Sequence, residues 1–214
     1  PQERSVVPTS GPLAFLSAVI EDMADEWLTK CVFHYRFDDP ADRQAGAGWV
    51  MDDTYPDMSY EDWRRRTDAF IERQVERKAL VGCTEANAPI LRSFYEALLA
   101  ALEPYVATDR YLFGSRPALA DFGLYGQLRA LSLDPTPAAL MQRTAPRVRH
   151  WVARLDDASG VEGEWEPSHA PLLPVIEPLL KLAGRFYLPF LAANARALEN
   201  GEAEVAVTLD GHPY

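Results

Sequence analysis

The sequence predicts an all-α fold, a helical bundle with a helical extension and a short C-terminal strand. Two observations carry the prediction. Apolar residues recur at intervals of three and four along most of the chain, the period of a helix face. Alternation with period two is confined to Glu204 to Leu209, where Val205, Val207 and Leu209 share one face ahead of an Asp210-Gly211 turn signal, and no partner strand is expected downstream. At 214 residues, 48% hydrophobic and 25% charged, the chain can build a sizeable globular core, and it shows no internal repeat or low-complexity tract. About seven or eight helices are expected.

Pro12 to Phe37 reads as a long amphipathic helix, with Leu13, Leu16, Ile20, Met23, Trp27 and Cys31 on one face and Glu21, Asp22, Asp25 and Glu26 between them. Asp38 to Pro56 breaks that pattern with Asp-Asp-Pro and Gly46-Ala-Gly48. Ser59 opens a second helix, with Asp62 three residues on as a variant capping box; it runs to about Leu80 and Gly82 ends it. Thr84, Asn87 and Pro89 open a third, which turns Ile90, Leu91, Phe94, Leu98, Leu99 and Leu102 inward and stops near Pro104.

Tyr111 to Leu128, YLFGSRPALADFGLYGQL, reads as a buried helix reached through a tight turn. Gly114 and Pro117 break the chain. Asp121 falls in the first turn, where a carboxylate accepts orphan backbone N–H groups and opposes the positive end of the helix. Asp134-Pro-Thr-Pro137 leads into a short helix through Met141, and Pro146 is a first-turn proline ahead of Val148, Trp151, Val152 and Leu155. Ala158 to Pro171 is loop. Two helical pieces follow, with Pro189 kinking or starting the second and Asn200-Gly201 closing it.

Composition removes several function classes. A net charge of -11 argues against nucleic acid and anionic membranes, which both rely on Lys and Arg neutralising phosphate. Pro171 to Leu198, the longest apolar-looking stretch, is interrupted by Glu177, Lys181, Arg185, Asn194, Arg196 and four prolines, so it is a poor membrane span. No signal peptide is recognisable. Cys31, in a helix, and Cys83, near a turn, are too few for a disulfide framework or a Cys-rich zinc site, and a reducing cytoplasm is expected. The chain begins at Pro1 without a methionine, which fits removal before proline, a processed protein or an excised domain.

No motif points to chemistry. The carboxylates Glu21, Asp22, Asp25 and Glu26 form i,i+4 pairs that read as a solvated face rather than a metal site, and His34 shares the heptad position of Ile20 and Trp27, which points it to the core. Glu166-Pro-Ser-His169 has the Glu-x-x-His spacing of carboxylate-bridged metal bundles, but Pro167 and Pro171 make it loop. P-loop, dinucleotide and Gly-x-Ser-x-Gly fingerprints are lacking, so no catalytic residue and no metal ligand is nominated. Arg64-Arg-Arg66 is expected to form Glu61 to Arg65 and Asp62 to Arg66 pairs on an exposed face.

The aromatic, Gly, Pro and Ala-Asp of Tyr111 to Leu128 together resemble the start of the central helix in the C-terminal domain of cytosolic glutathione transferases. The long opening helix and APRVRHWVARL, Ala145 to Leu155, similar to that family's Pro-x-x-x-x-Trp helix, extend the resemblance over roughly Pro12 to Leu155. The family usually has Ser or Thr three residues before the Asp; Ala118 stands there here, so half of the reciprocal capping box is missing.

The resemblance implies a linker over residues 1–11, the helical domain over 12–158, and a helical extension and tail over 159–214 packed on the same domain. In the family, glutathione and the Tyr, Ser or Cys that activates its thiol belong to an N-terminal thioredoxin-like domain, which this chain is expected to lack; Val7-Pro8 reads as linker. The expected function is therefore the hydrophobic-substrate and dimerisation half of a glutathione transferase-like protein, inactive alone. Phe33, His34 and Phe37 are the implied pocket-lining residues. A small hydrophobic electrophile and a second copy of the chain are the implied partners, and glutathione is implied as cofactor only together with the missing domain. The alternative is a non-catalytic protein–protein interaction module, the use made of this fold in translation factors and aminoacyl-tRNA synthetases.

Overall fold

The computed structural model describes residues 5–106 and 110–214, so the first four residues of the expected linker lie outside it. The opening helix is continuous: α1 (Gly11–Met23) passes through a π-helical turn (Ala24–Leu28) into α2 (Thr29–Asp38). Ile20, Met23, Trp27, Leu28 and Cys31 are all buried along it. The wider π turn lets the adjacent Trp27 and Leu28 both reach the core, which a regular helix face does less readily.

Where the sequence pattern breaks, the chain forms a further helix. α3 spans Pro40–Thr54, with the Asp39 side chain accepting from the Ala41 N–H (2.7 Å) and Pro40 in the first turn. Its glycines mark close approaches rather than turns. A Cβ at Gly46 would fall 2.6 Å from Arg36 Nε, and one at Gly48 would fall 2.8 Å from Trp63 Cζ2. The chain thus accepts the low helix propensity of glycine, about 1 kcal/mol relative to Ala, to bring α3 against its neighbours.

α4 (Tyr60–Glu76) starts at Ser59, whose Oγ accepts from the Asp62 N–H (3.2 Å) and donates to Asp62 Oδ2 (3.0 Å). With that carboxylate held at the helix start, Asp62 pairs with Arg65 (2.6 Å) instead of Arg66, which lies over the Tyr55 ring at 5.0 Å. The expected Glu61 to Arg65 pair is thereby displaced as well. A 3-10 turn (Ala79–Val81) and left-handed Gly82 lead to α5 (Ala88–Leu102), which buries the six apolar residues its spacing predicts. α6 (Leu119–Leu131), α7 (Pro135–Thr144) and α8 (Pro146–Leu155) follow.

The two helical pieces expected after Pro171 form one run: α9 (Leu173–Leu182), a π-helical turn (Ala183–Tyr187) and α10 (Leu188–Asn200), with Pro189 in the first turn of α10. Gly201 closes it in the left-handed conformation, φ 70°. The strand near the C terminus is not alone. β1 (Thr208–Leu209) pairs antiparallel with β2 (His212–Pro213) across Asp210-Gly211, and reciprocal bonds between Val207 and Tyr214 (3.0 and 2.8 Å) extend the hairpin. His212-Pro213 shows no alternation, so nothing in its pattern signals a strand.

α6 is the central helix, packed on α1, its π turn, α2 and α8. A Cβ at Gly123 would lie 3.1 Å from Glu21 Cα, so α1 and α6 meet nearly backbone to backbone. One hydrophobic core runs from Leu13 through Trp151 to Leu209, and α9 packs on α1 and α5 within it. Among the described residues no helix is long and apolar enough to cross a membrane.

Candidate functional site

The start of α6 is the most heavily bonded part of the fold. Asp121 is fully buried; one carboxylate oxygen accepts from Ala118 N–H (2.8 Å) and the other from Leu112 N–H (2.9 Å). Ala118 offers no side-chain acceptor, so the Asp121 N–H turns to the Ala118 carbonyl (3.0 Å). The missing hydroxyl is supplied from another helix: Ser17 Oγ on α1 accepts from Ala120 N–H (3.2 Å), and the Val6 carbonyl accepts from Leu119 N–H (2.8 Å). Val7-Pro8 therefore lies in a segment docked on the central helix, with Pro8 buried. Burial pushes the Asp121 carboxyl up to about 7 against the opposing pull of its backbone donors.

The turn ahead of α6 is closed by the loop that follows α8. Gly114 has φ 147°, and a Cβ there would stand 2.2 Å from the Glu164 carbonyl oxygen, so only glycine fits. Arg116 lies over Trp165 at 4.6 Å. Glu166 faces Arg110 at 3.6 Å, separate from His169 on an irregular stretch. Two more helices also borrow their caps. Asp42 on α3 accepts from Thr136 N–H at the start of α7 (2.8 Å), and Glu103 after α5 accepts from Arg147 and Val148 N–H at the start of α8 (both 3.0 Å).

The three residues nominated as pocket lining share α2. His34 is 1% exposed, and its Nε2 accepts from Arg92 Nε (3.2 Å). Burial lowers its imidazole to about 4, so it is neutral at pH 7 and poorly suited to acid–base work. Asp38, at the end of the same helix, takes Arg92 Nη2 (3.0 Å) and Lys78 Nζ (2.8 Å). Phe37 is buried between Phe33 (ring centroids 4.8 Å apart) and Phe70 (6.1 Å), and Phe33 is half-buried. None of the three lines the cavities below.

An apolar groove of about 420 Å³ runs between α1 and α9, floored by Leu16, Leu173, Ile176 and Leu180 and edged by His169 and Lys181. Phe15, on α1 beside Leu16, is 68% exposed. A cavity of about 550 Å³ lies beneath the C-terminal hairpin, among Lys30, Thr84, Asn87, Phe190, Asn194 and Tyr214. Two adjoining hollows of about 390 and 330 Å³ share Tyr55 and Arg66 beside α4. Cys31 and Cys83 are free, buried thiols; burial raises both, Cys83 to about 11, so neither is a thiolate nucleophile at neutral pH. Among the described residues no group of three His, Cys, Asp or Glu could hold a metal.

Residues 57–154 match the family model described as glutathione S-transferase, C-terminal domain. Over these residues the chain is similar to that domain, and the match covers a little under half of its length. The matched span takes in α4 to α8 with the Gly114 turn and the Asp121 cap, whereas α1 to α3 and α9 onward lie outside it. No curated protein and no solved structure matches the chain.

Sequence reasoning found Asp121 but missed Ser17, Asp42 and Glu103, whose bonds cross 103, 94 and 45 residues. It also missed the α1–α9 groove. The available signal was Leu173, Ile176 and Leu180, an i, i+3, i+7 face lying beside the core face of Val175, Leu179 and Leu182.

Proposed function

We propose that this chain is the helical half of a glutathione transferase-like protein. It supplies the apolar wall for a hydrophobic electrophile and contacts to a second copy, while a thioredoxin-like domain binds glutathione and activates its thiol. The observation that carries the reading is the groove between α1 and α9. Its volume, about 420 Å³, and its Leu and Ile floor suit a one- or two-ring apolar compound, and it is open to solvent beside Phe15. The glutathione transferase domain match over residues 57–154 supports the same assignment.

Conjugation of glutathione to 1-chloro-2,4-dinitrobenzene by these residues alone is expected to stay at background; robust turnover would refute the division of labour. The groove is tested by fluorescence of 8-anilinonaphthalene-1-sulfonate. Leu173→Glu, at a solvent-facing position of the floor, is expected to weaken binding about tenfold or more, because it places a charge in the apolar wall. Unchanged binding would move the wall elsewhere. Light scattering is expected to give twice the 23.9 kDa chain mass, and a monomer would remove the subunit-contact role.

A further inference from the structure

The cavity beneath the C-terminal hairpin has a chemistry of its own, distinct from the α1–α9 groove. Its wall is built from α2, the loop before α5, α10 and the tail. Lys30 reaches into this wall. Its Nζ donates to the Val81 carbonyl (3.1 Å) and sits 4.8 Å from the centroid of Phe190. Elsewhere Arg36 pairs with Asp134, and Lys78 and Arg92 pair with Asp38. Among the described residues no carboxylate pairs with Lys30, although its ammonium keeps two further N–H donors.

Other lining groups also have unused capacity. Asn87 donates to the Gly82 carbonyl (3.0 Å), leaving its own carbonyl oxygen free, and the Tyr214 hydroxyl is buried without a hydrogen-bond partner. Tyr214 is seated by Gly82, where a Cβ would lie 2.4 Å from the hydroxyl oxygen, and by Trp27 at 5.3 Å between centroids. Burial lowers the Lys30 pKa, outweighing the opposing pull of Cys83, Glu26 and Cys31.

A partly desolvated cation with no carboxylate in salt-bridge contact, an aromatic face beside it and about 550 Å³ of space form the kind of concave, mixed site that takes a small anionic molecule. We propose that this cavity binds a small carboxylate with a flat apolar body. The carboxylate sits on Lys30, and the body lies against Phe190 under the hairpin. Glu204 also lines the cavity and gives the site a charge it must overcome. That fixes the sign of a second test.

The experiment titrates the full chain with 2-naphthoate, and with 2-naphthylmethanol as the neutral analogue, followed by amide chemical shifts. Naphthoate is expected to move Gly82, Thr84 and Asn87 and to bind about tenfold or more tighter than the alcohol, the scale of one charge-assisted hydrogen bond. Lys30→Met should abolish that preference, Lys30→Arg should keep it, and Glu204→Gln should tighten naphthoate without affecting the alcohol. Melting curves establish that each variant is folded. The proposal is overturned if naphthoate perturbs the α1–α9 groove instead, fails to bind at millimolar concentration, or binds Lys30→Met as well as the unaltered chain.

Discussion

Asp121→Ala tests the central helix most sharply. The substitution leaves the Ala118 and Leu112 amides, both in buried bonds, with no acceptor. Each unpaired buried donor costs about 1–3 kcal/mol, and removal of a desolvated carboxyl returns part of that, so a net loss of about 2–4 kcal/mol is expected. For a chain of this size each kcal/mol moves the melting midpoint by about 2–4 °C, which gives a fall of about 5–15 °C at pH 7. Far-UV circular dichroism reads it directly. Ser17→Ala strips only the Ala120 amide and should cost about 1 kcal/mol, a few degrees. A midpoint for Asp121→Ala within a degree of the parent, or a larger loss for Ser17→Ala than for Asp121→Ala, would refute the view that the carboxyl organises this helix start.

The same residue makes a pH prediction with a definite sign. Its folded pKa, raised from 3.8 to about 7, means the folded chain holds a proton that the unfolded chain has released. Its contribution is therefore full below pH 3.8 and is lost as pH rises through about 7. The gap in midpoint between the parent and Asp121→Ala should be wider at pH 5 than at pH 8, and a gap that widens with pH would mean the backbone donors win over burial. Gly82→Ala forces a Cβ into a left-handed turn (φ 74°) and onto Tyr214. It should cost about 1–3 kcal/mol and expose the 203–214 tail to limited proteolysis. A tail as resistant as the parent's would show that Tyr214 is not held by this contact.

Helices whose apolar face is regular were legible from the sequence. α5 and the long opening helix appear where the periodicity places them, α4 starts at the Ser59 cap but stops at Glu76, short of the expected Leu80, and His34 is buried as its heptad position requires. α3 was hidden because glycine is scored as a breaker, whereas Gly46 and Gly48 serve the approach of Arg36 and Trp63. Periodicity sees one element at a time, and what makes these glycines useful belongs to two. The hairpin cavity was hidden for the same reason: Lys30, Asn87, Phe190 and Tyr214 have no shared pattern and meet only through tertiary packing. The nominated Phe33, His34 and Phe37 are adjacent because one helix carries them, which sequence can state. Whether a surface there is open depends on α4 and α5, which supply Phe70 and Arg92.

The borrowed caps bear on the order in which this molecule assembles. A helix whose own first turn supplies every acceptor can satisfy its first amides as it forms, whereas α6 has Asp121 for the Ala118 amide but takes the acceptor for its Ala120 amide from Ser17, 103 residues earlier in the chain. Starting a helix is the unfavourable step, and here part of what offsets it arrives only when two distant segments have already met. The central helix is thus tied kinetically to α1: its first turn matures as a docking event between two segments, and the loop that joins them must close before the helix at its far end is complete.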